Sequence, residues 1–355
     1  MSRTLEAIAT SDWHFMGLAK HFPNHVERTI YELDKIYQYA VANGIPYVLV
    51  PGDISDTPHM PYEVYIALVL FLKKYDGLVE THYIPGNHDF SDVKKTSMDL
   101  LSVLQQNQFF ESFHLHMGHT EIELEDVPIN FLPYPWNEAP ASDIPHLNFS
   151  HISYNGAIGD NGRKIRVKDE FIQNPGDFNI SGHIHQYQYM ESKRALYCGN
   201  PFQKNFGEKL PKGFVHFKAK LKDERIAFKH KFVDNKPDFR LINMNIESRE
   251  DFARLSDSDS IRYKLWLAAG VEIPKDLRLR FPNITGGIFD LDSKVRAQDR
   301  EEVKTLIQDP SANQVDLMYG LKDYMKGAGF KKRDYQEARS LVKQAANELG
   351  LDLVE

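Results

Sequence analysis

Strand-like apolar runs and helix-periodic segments alternate through the opening part of the chain. Leu5 to Thr10 is a run of strand type, after which Val26, Ile30, Leu33, Tyr37 and Ala40 recur at helical spacing until Asn43-Gly44 closes the pattern. Pro46 to Val50 reads as a second strand, so the chain opens β-α-β. Tyr62 to Lys74 predicts a helix with Pro61 at its first turn, Thr81 to Ile84 a third strand, and Thr96 to Gln106 another helix. Strands alternating with helices predict a largely parallel, doubly wound sheet.

After Phe113 the texture changes. Glu121–Leu124 and Ile129–Leu132 flank the turn-prone Glu125-Asp126 and predict a hairpin, and Leu147–Phe149 is another short strand. Phe178–Ile180, Ala195–Tyr197, Phe214–Phe217 and Ile226–Phe232 follow, all short and close together. They predict a second layer of strands packed on the first. Asn235-Lys236-Pro237 marks a boundary, beyond which the pattern weakens. Residues 1–234 are therefore expected to form the main domain, 235–295 a smaller module and 296–355 a helical tail. In the tail, Asp299 with Glu302 makes a capping-box pattern and Pro310 stops that helix. Met318, Leu321 and Met325 mark a second helix. Tyr335, Ala338, Val342, Ala345 and Leu349 alternate three- and four-residue steps, a seam that either packs back on its own domain or docks a partner helix.

Several of these strands end on the same kind of residue. Leu5–Thr10 runs into Ser11-Asp12-Trp13-His14, and Val48–Val50 into Pro51-Gly52-Asp53-Ile54-Ser55-Asp56. Thr81–Ile84 runs into Pro85-Gly86-Asn87-His88-Asp89, Leu147–Phe149 into Ser150-His151, and Phe178–Ile180 into Ser181-Gly182-His183-Ile184-His185. The carboxyl ends of strands are where open α/β sheets bind ligands. Asp, Asn and His supply the oxygen and nitrogen donors that suit divalent metals. Gathering so many carboxylates and imidazoles without cations would be costly in desolvation and repulsion. The strand ends are thus expected to converge on a pair of metal ions, with Asp53 as the carboxylate between them.

Composition narrows the class. The chain has 355 residues, 42% hydrophobic and 26% charged, which allows one substantial core and a smaller second unit. The longest apolar run, Tyr65 to Leu72, is too short to span a bilayer, and Asp12, His14 and Lys20 interrupt any signal-peptide core. The single cysteine, Cys198, excludes an internal disulfide and fits a reducing cytoplasm. A net charge of −7 excludes a basic nucleic-acid binder as a whole, yet Lys193 to Lys236 carries twelve Lys/Arg against four Asp/Glu. That stretch is either a strip that contacts a nucleic-acid backbone or a solvated β-meander.

The five motifs Asp-x-His, Gly-Asp-x-x-Asp, Gly-Asn-His-Asp, a lone His and Gly-His-x-His, in this order, resemble those of the calcineurin-like metallophosphoesterases. The resemblance covers Leu5 to about Phe232. It implies a two-sheet β-sandwich flanked by helices, here with a smaller capping module and a helical tail. It implies one divalent metal ion held by Asp12, His14, Asp53 and His185, and a second by Asp53, Asn87, His151 and His183. His88 would act as general acid or transition-state stabiliser, with Asp89 orienting it. The donor set suits manganese, iron or zinc, with magnesium also admitted, and the resemblance favours manganese.

Within the superfamily the chain looks most like SbcD-type nucleases and their phage counterparts, the small subunits of recombination endonucleases. Gly52-Asp53-Ile54-Ser55-Asp56-Thr57 and Tyr197-Cys198-Gly199-Asn200-Pro201-Phe202 with Gly213-Phe214 carry that likeness, as does the continuation into a module and a tail. It implies a DNA exonuclease or endonuclease in recombination and repair, whose tail binds the coiled-coil base of an SMC-like ATPase, in the cytoplasm (the host's, if phage-encoded). Eukaryotic and archaeal relatives carry histidine where Asp56 stands. Lys193, Arg194, Lys204, Lys209 and Lys212 are the candidate DNA contacts, and Phe202 and Phe206 are expected in the core rather than stacked on bases. The alternative is a phosphatase or phosphodiesterase acting on nucleotides or phosphoproteins. The sequence leaves homodimer formation open.

Overall fold

The computed structural model describes residues 3–91, 95–160, 162–168 and 171–290. The expected tail, 296–355, with its three helices, lies outside them.

The first half forms β1 (Leu5–Ala9), α1 (His25–Ala42), β2 (Tyr47–Pro51), α2 (Tyr62–Tyr75), β3 (Glu80–Ile84), α3 (Ser97–Gln106) and β4 (Phe113–Leu115). β5 (Thr120–Leu124), β6 (Val127–Leu132), β7 (Leu147–Ser150), β8 (Phe178–Ser181), β9 (Gln188–Met190) and β10 (Ala195–Tyr197) follow. The long β11 (Gly213–Lys222) and β12 (Arg225–Asp234) come next, then β13 (Arg240–Ile246), β14 (Ile261–Leu267), the short α4 (Leu277–Arg280) and β15 (Ile288–Asp290).

Two six-stranded sheets stack face to face, ordered β12-β11-β1-β2-β3-β4 and β5-β6-β7-β8-β10-β9. Period-two alternation sorts each strand between two cores. Leu5, Ala7 and Ala9 of β1 and Leu49 of β2 face the second sheet, where Phe131, Phe149, Ile180 and Leu196 meet them. Ile8, Val48 and Val50 face the other way, into a core with Leu33, Ile36 and Tyr37 of α1 and Leu68 and Phe71 of α2. Strands buried on both faces read as continuous apolar runs, which is why they stand out in the sequence. α3 starts at a full capping box, with Thr96 Oγ1 accepting from the Met98 and Asp99 amides and Asp99 accepting from the Thr96 amide.

β11 and β12 depart from expectation. They do not join the second layer but extend the first sheet. β11 pairs antiparallel with β1 in the register Leu5↔Ala219 to Ala9↔Val215, and β12 forms the outer edge beyond it. The open side of β1 offers a row of unpaired backbone groups, and β11 satisfies them while sending Val215, Phe217 and Ala219 into the inter-sheet core.

The described chain divides into two compact units. The first holds the described residues up to Asn243 with Ser256–Lys264 and Arg278–Gly286. The second holds Met244–Leu255, Leu265–Leu277 and the described residues from Gly287, and in it Leu265–Leu267 runs parallel to Ile288–Asp290. Among the described residues no helix is long and apolar enough to cross a membrane.

Candidate metal centre

The carboxyl ends of β1, β2 and β3 in one sheet and of β7 and β8 in the other meet at one end of the sandwich. Main-chain bonds lock the loops together: the Asp12 amide donates to Gly52 O (3.0 Å), His14 to Asp53 O (3.0 Å) and Phe15 to Ile54 O (2.8 Å). Across the sandwich, the His183 amide donates to both Asp12 carboxylate oxygens, at 3.1 and 3.2 Å.

All seven expected ligands are brought together. His14 Nε2 lies 3.1 Å from His185 Nε2, and Asp12 Oδ1 is 3.9 and 3.8 Å from these two nitrogens. Asn87 Oδ1 sits 3.0 Å from His151 Nε2 and 2.9 Å from His183 Nδ1. Asp53 Oδ2 reaches both groups, 3.2 Å from His151 Nε2 and 3.7 Å from His14 Nε2. Asp53 thus stands between the two groups.

Backbone strain and close packing aim these side chains. Asp12, His14, Asp53 and His183 have φ of 56°, 44°, 55° and 81°, a left-handed region that non-glycine residues enter at a cost and that clusters at functional sites. The two sheets approach closely at Gly182, where a Cβ would lie 2.0 Å from Pro51 O and 2.8 Å from His151 Nδ1. Gly182→Ala is therefore expected to wedge the sheets apart at the site, lowering stability by about 1–3 kcal/mol and releasing metal from His151 and His183. Urea unfolding and elemental analysis of the purified variant check this.

Polar groups beside Nδ1 orient three of the histidine rings. His151 Nδ1 donates to Pro51 O (2.9 Å), His185 Nδ1 lies 2.7 Å from Asp160 Oδ2 and 3.2 Å from Glu208 Oε1, and His14 Nδ1 is 3.3 Å from Asp56 Oδ1. In all three Nε2 faces the cluster, the arrangement of metal-bound histidines. Glu208 is itself buried, ion-paired to Lys212 at 2.8 Å and hydrogen-bonded by Asn200 and Asn205. Asp56 stands beside His14 as its charged neighbour.

The electrostatics show the same demand for positive charge. Burial opposes ionisation of Asp53, but the His151, His14 and His88 imidazoles outweigh it and hold the carboxyl far below its usual range. Burial likewise opposes charging His151, yet Asp53 pushes it up to about 9. His183, buried and facing His151, falls to about 4. Acceptor oxygens and imidazole nitrogens packed at about 3 Å, with carboxylates that draw protons onto neighbouring rings, fit a pair of divalent cations.

His88 stands at the rim, half-buried. Its amide donates to Asp53 Oδ1 (2.9 Å) and its Nδ1 to Asp56 O (3.0 Å), and its ring meets that of His14 edge-on at 4.8 Å. The expectation that Asp89 orients His88 gives way here. The buried Asp89 carboxylate accepts from the Ser55 and Gly86 amides, at 2.8 and 2.9 Å, and from Tyr83 Oη. It ties the β2 and β3 loops together, while Asp56 O fixes the His88 ring.

These coincidences of geometry match a family by sequence as well: the profile of the calcineurin-like phosphoesterases fits residues 6–187. The chain belongs to that family. Its members are metal-dependent hydrolases of phosphoesters using divalent ions, and the clustered His, Asp and Asn side chains are candidate ligands for such ions in this phosphoesterase. An uncharacterized protein of Acanthamoeba polyphaga mimivirus is 23% identical over 224 residues, 56% of this chain, and the chain spans only 16% of that relative's length. The SbcD subunit of the SbcCD nuclease of Staphylococcus saprophyticus is 21% identical over 345 residues, 84% of this chain and 89% of its own. Among solved structures, GAP50, the anchor in the inner membrane complex of Plasmodium, aligns with 66% of this chain and 85% of its own at 11% identity and a TM-score of 0.38.

The five basic residues named as DNA contacts fare unevenly. Lys212 is 1% exposed, paired with Glu208 and donating to His185 O, so its ammonium supports the metal centre from inside rather than facing a phosphate. Arg194 donates to the carbonyls of Asp177, Gly176 and Ile226, fastening the sheets. Lys204 is mostly buried beside Asp56 at 3.2 Å, Lys193 is half-buried, and Lys209 is exposed. Much of the remaining basic strip lies on the β11–β12 hairpin, where Lys229 and Lys231 line the outer edge strand, a common device for blocking edge-to-edge pairing. Phe202 is in the core, as expected, and Phe206 packs edge-on against His21.

Proposed function

We propose that this phosphoesterase is a DNA nuclease, acting as exonuclease or endonuclease in recombination and repair beside an SMC-like ATPase. The observation that carries the reading is the reach of its similarity to the staphylococcal SbcD protein. That similarity runs over 84% of this chain and 89% of the relative, whereas the phosphoesterase profile ends at residue 187. Collinearity over nearly all of both chains extends beyond the phosphoesterase profile, which a shared catalytic domain alone would not. Residues 235–295 are proposed to cap the DNA path, and the proposed ATPase-docking segment, 296–355, lies outside the described residues. Cytoplasmic location follows from the same reading.

A surface beside the centre supports a nucleic-acid substrate. Phe90 directly follows His88-Asp89, is 38% exposed, and its ring meets the exposed Tyr134 ring at 5.5 Å, with Trp136 exposed two residues further on. Exposed aromatic faces next to a phosphate site stack bases of any sequence. Asp12, His14, Asp53 and His185 would hold one ion and Asp53, Asn87, His151 and His183 the other, with manganese the proposed metal. Two divalent ions held there would supply activation of water and neutralisation of phosphate charge. The chain's own part is to hold these ligands rigidly, to present His88 at the rim for proton transfer, and to seat the strand on Phe90 and Tyr134.

The test is manganese-dependent cleavage of end-labelled linear and hairpin DNA, compared with hydrolysis of p-nitrophenyl phosphate. Remote contacts with a long substrate should favour DNA in kcat/KM by on the order of 10²-fold or more. Preference for the small ester would assign the chain to the phosphatases instead.

A further inference from the structure

A second group of metal-ligand side chains lies at the opposite end of β3 from Asn87. Glu80 and His82 share one face of β3, and His114, paired with His82 in the parallel register of β3 and β4, lies alongside. His82 Nε2 is 3.0 Å and His114 Nε2 3.3 Å from the same oxygen, Glu80 Oε1. The two imidazoles are stacked, with centroids 4.7 Å apart and planes 28° from parallel, so both present Nε2 to one point. Ligands bound tetrahedrally at the 2.0–2.1 Å typical of zinc stand about 3.3 Å from one another.

The surroundings prepare the ligands. His82 Nδ1 lies 3.0 Å from His116 Nε2, and His116 is stacked on Phe131 at 4.1 Å. A proton shared between those two nitrogens leaves His82 Nε2 to bind as a lone pair, as an outer-shell partner does in known histidine sites.

We propose that Glu80, His82 and His114 form a zinc site separate from the phosphoesterase centre, with water in the fourth position. Its role is mechanical. β4 has only three residues and forms the edge of its sheet, and an ion bridging β3 and β4 fastens it there.

The proposal does not depend on the nuclease reading, and the experiment is a difference that the catalytic centre cannot produce. Full-length wild type and His114→Gln are loaded with Zn²⁺ alone, desalted, and their zinc counted by elemental analysis. His114 is partly exposed on an edge strand, so the substitution should leave the circular dichroism spectrum unchanged. The variant is expected to hold one zinc per chain fewer than wild type while hydrolysing p-nitrophenyl phosphate at the wild-type rate. Glu80→Gln, tested in the same way, guards against a misfolded first variant. Equal zinc in folded variants and wild type would overturn the assignment and leave Glu80 as a hydrogen-bond acceptor for two imidazoles.

Discussion

Asp53→Asn is expected to lower metal-dependent phosphoester hydrolysis by about 10³-fold or more while the protein stays folded. The substitution keeps the side-chain shape and an oxygen to accept the His88 amide, so the 2.9 Å bond that positions the β3 loop survives. What is lost is one negative charge at the point shared by the His14 and His151 groups, 3.7 and 3.2 Å away. Removing an outer-shell partner of a metal ligand already costs about 10–100-fold, and Asp53 contacts both halves of the centre. Turnover with saturating Mn²⁺, metal content and the circular dichroism spectrum, measured on the same preparation, separate loss of chemistry from loss of fold. Wild-type turnover in the purified variant would remove Asp53 from the centre.

The effect should be steep because the fold has no slack at this place. Four ligand-bearing residues are held in the left-handed backbone region, each at a cost of order 1–3 kcal/mol unless the surroundings over-determine it. The surroundings do so through main-chain bonds from Asp12, His14 and Phe15 to the β2 loop and through the Asp89 carboxylate between the β2 and β3 loops. Glycines complete the enclosure. A Cβ on Gly86 would lie 2.2 Å from Asp53 Oδ1, and one on Gly52, whose φ is +99°, would lie 2.0 Å from His151 Nδ1. Donor atoms fixed in this way need little reorganisation on binding ions or phosphate.

The convergence of the candidate donors was legible in the sequence because each follows a short apolar run directly. A strand buried on both faces announces itself, and the residues after it have only one place to go. β1, β2 and β3 end at Ala9, Pro51 and Ile84, within a few residues of Asp12, Asp53 and Asn87. The supporting carboxylates were not legible. Glu208 and Asp160 reach His185 from loops without periodicity, and only the fold shows that Glu208 is buried against Lys212. Charge counting misjudged Lys212 and Arg194 for the same reason: composition gives the sign of a side chain but not the side of the surface it lies on. β11 and β12 were found as strands and assigned to the wrong sheet, since period-two alternation shows which face is apolar but not which neighbour lies at the edge. The β14 and β15 strands escaped because one lies in mixed polarity and the other has three residues.

His88→Ala should separate binding from chemistry. The residue touches Asp53 through its amide, which alanine retains, and its ring is held from outside by Asp56 O rather than by any of the seven ligands. Metal content is therefore expected to match wild type. Turnover should fall by about 10²–10⁴-fold, the usual contribution of a positioned proton donor. With Nδ1 donating to Asp56 O, Nε2 is the nitrogen left to exchange a proton with a leaving oxygen. A substrate whose leaving group needs no proton, such as a p-nitrophenyl ester, should then lose less rate than DNA does. Equal losses on both substrates would recast His88 as a stabiliser of charge on the phosphate. Loss of a bound ion in the variant would make it an eighth ligand, consistent with its nitrogen lying within 4.8 Å of the His14 and Asp53 ligand atoms.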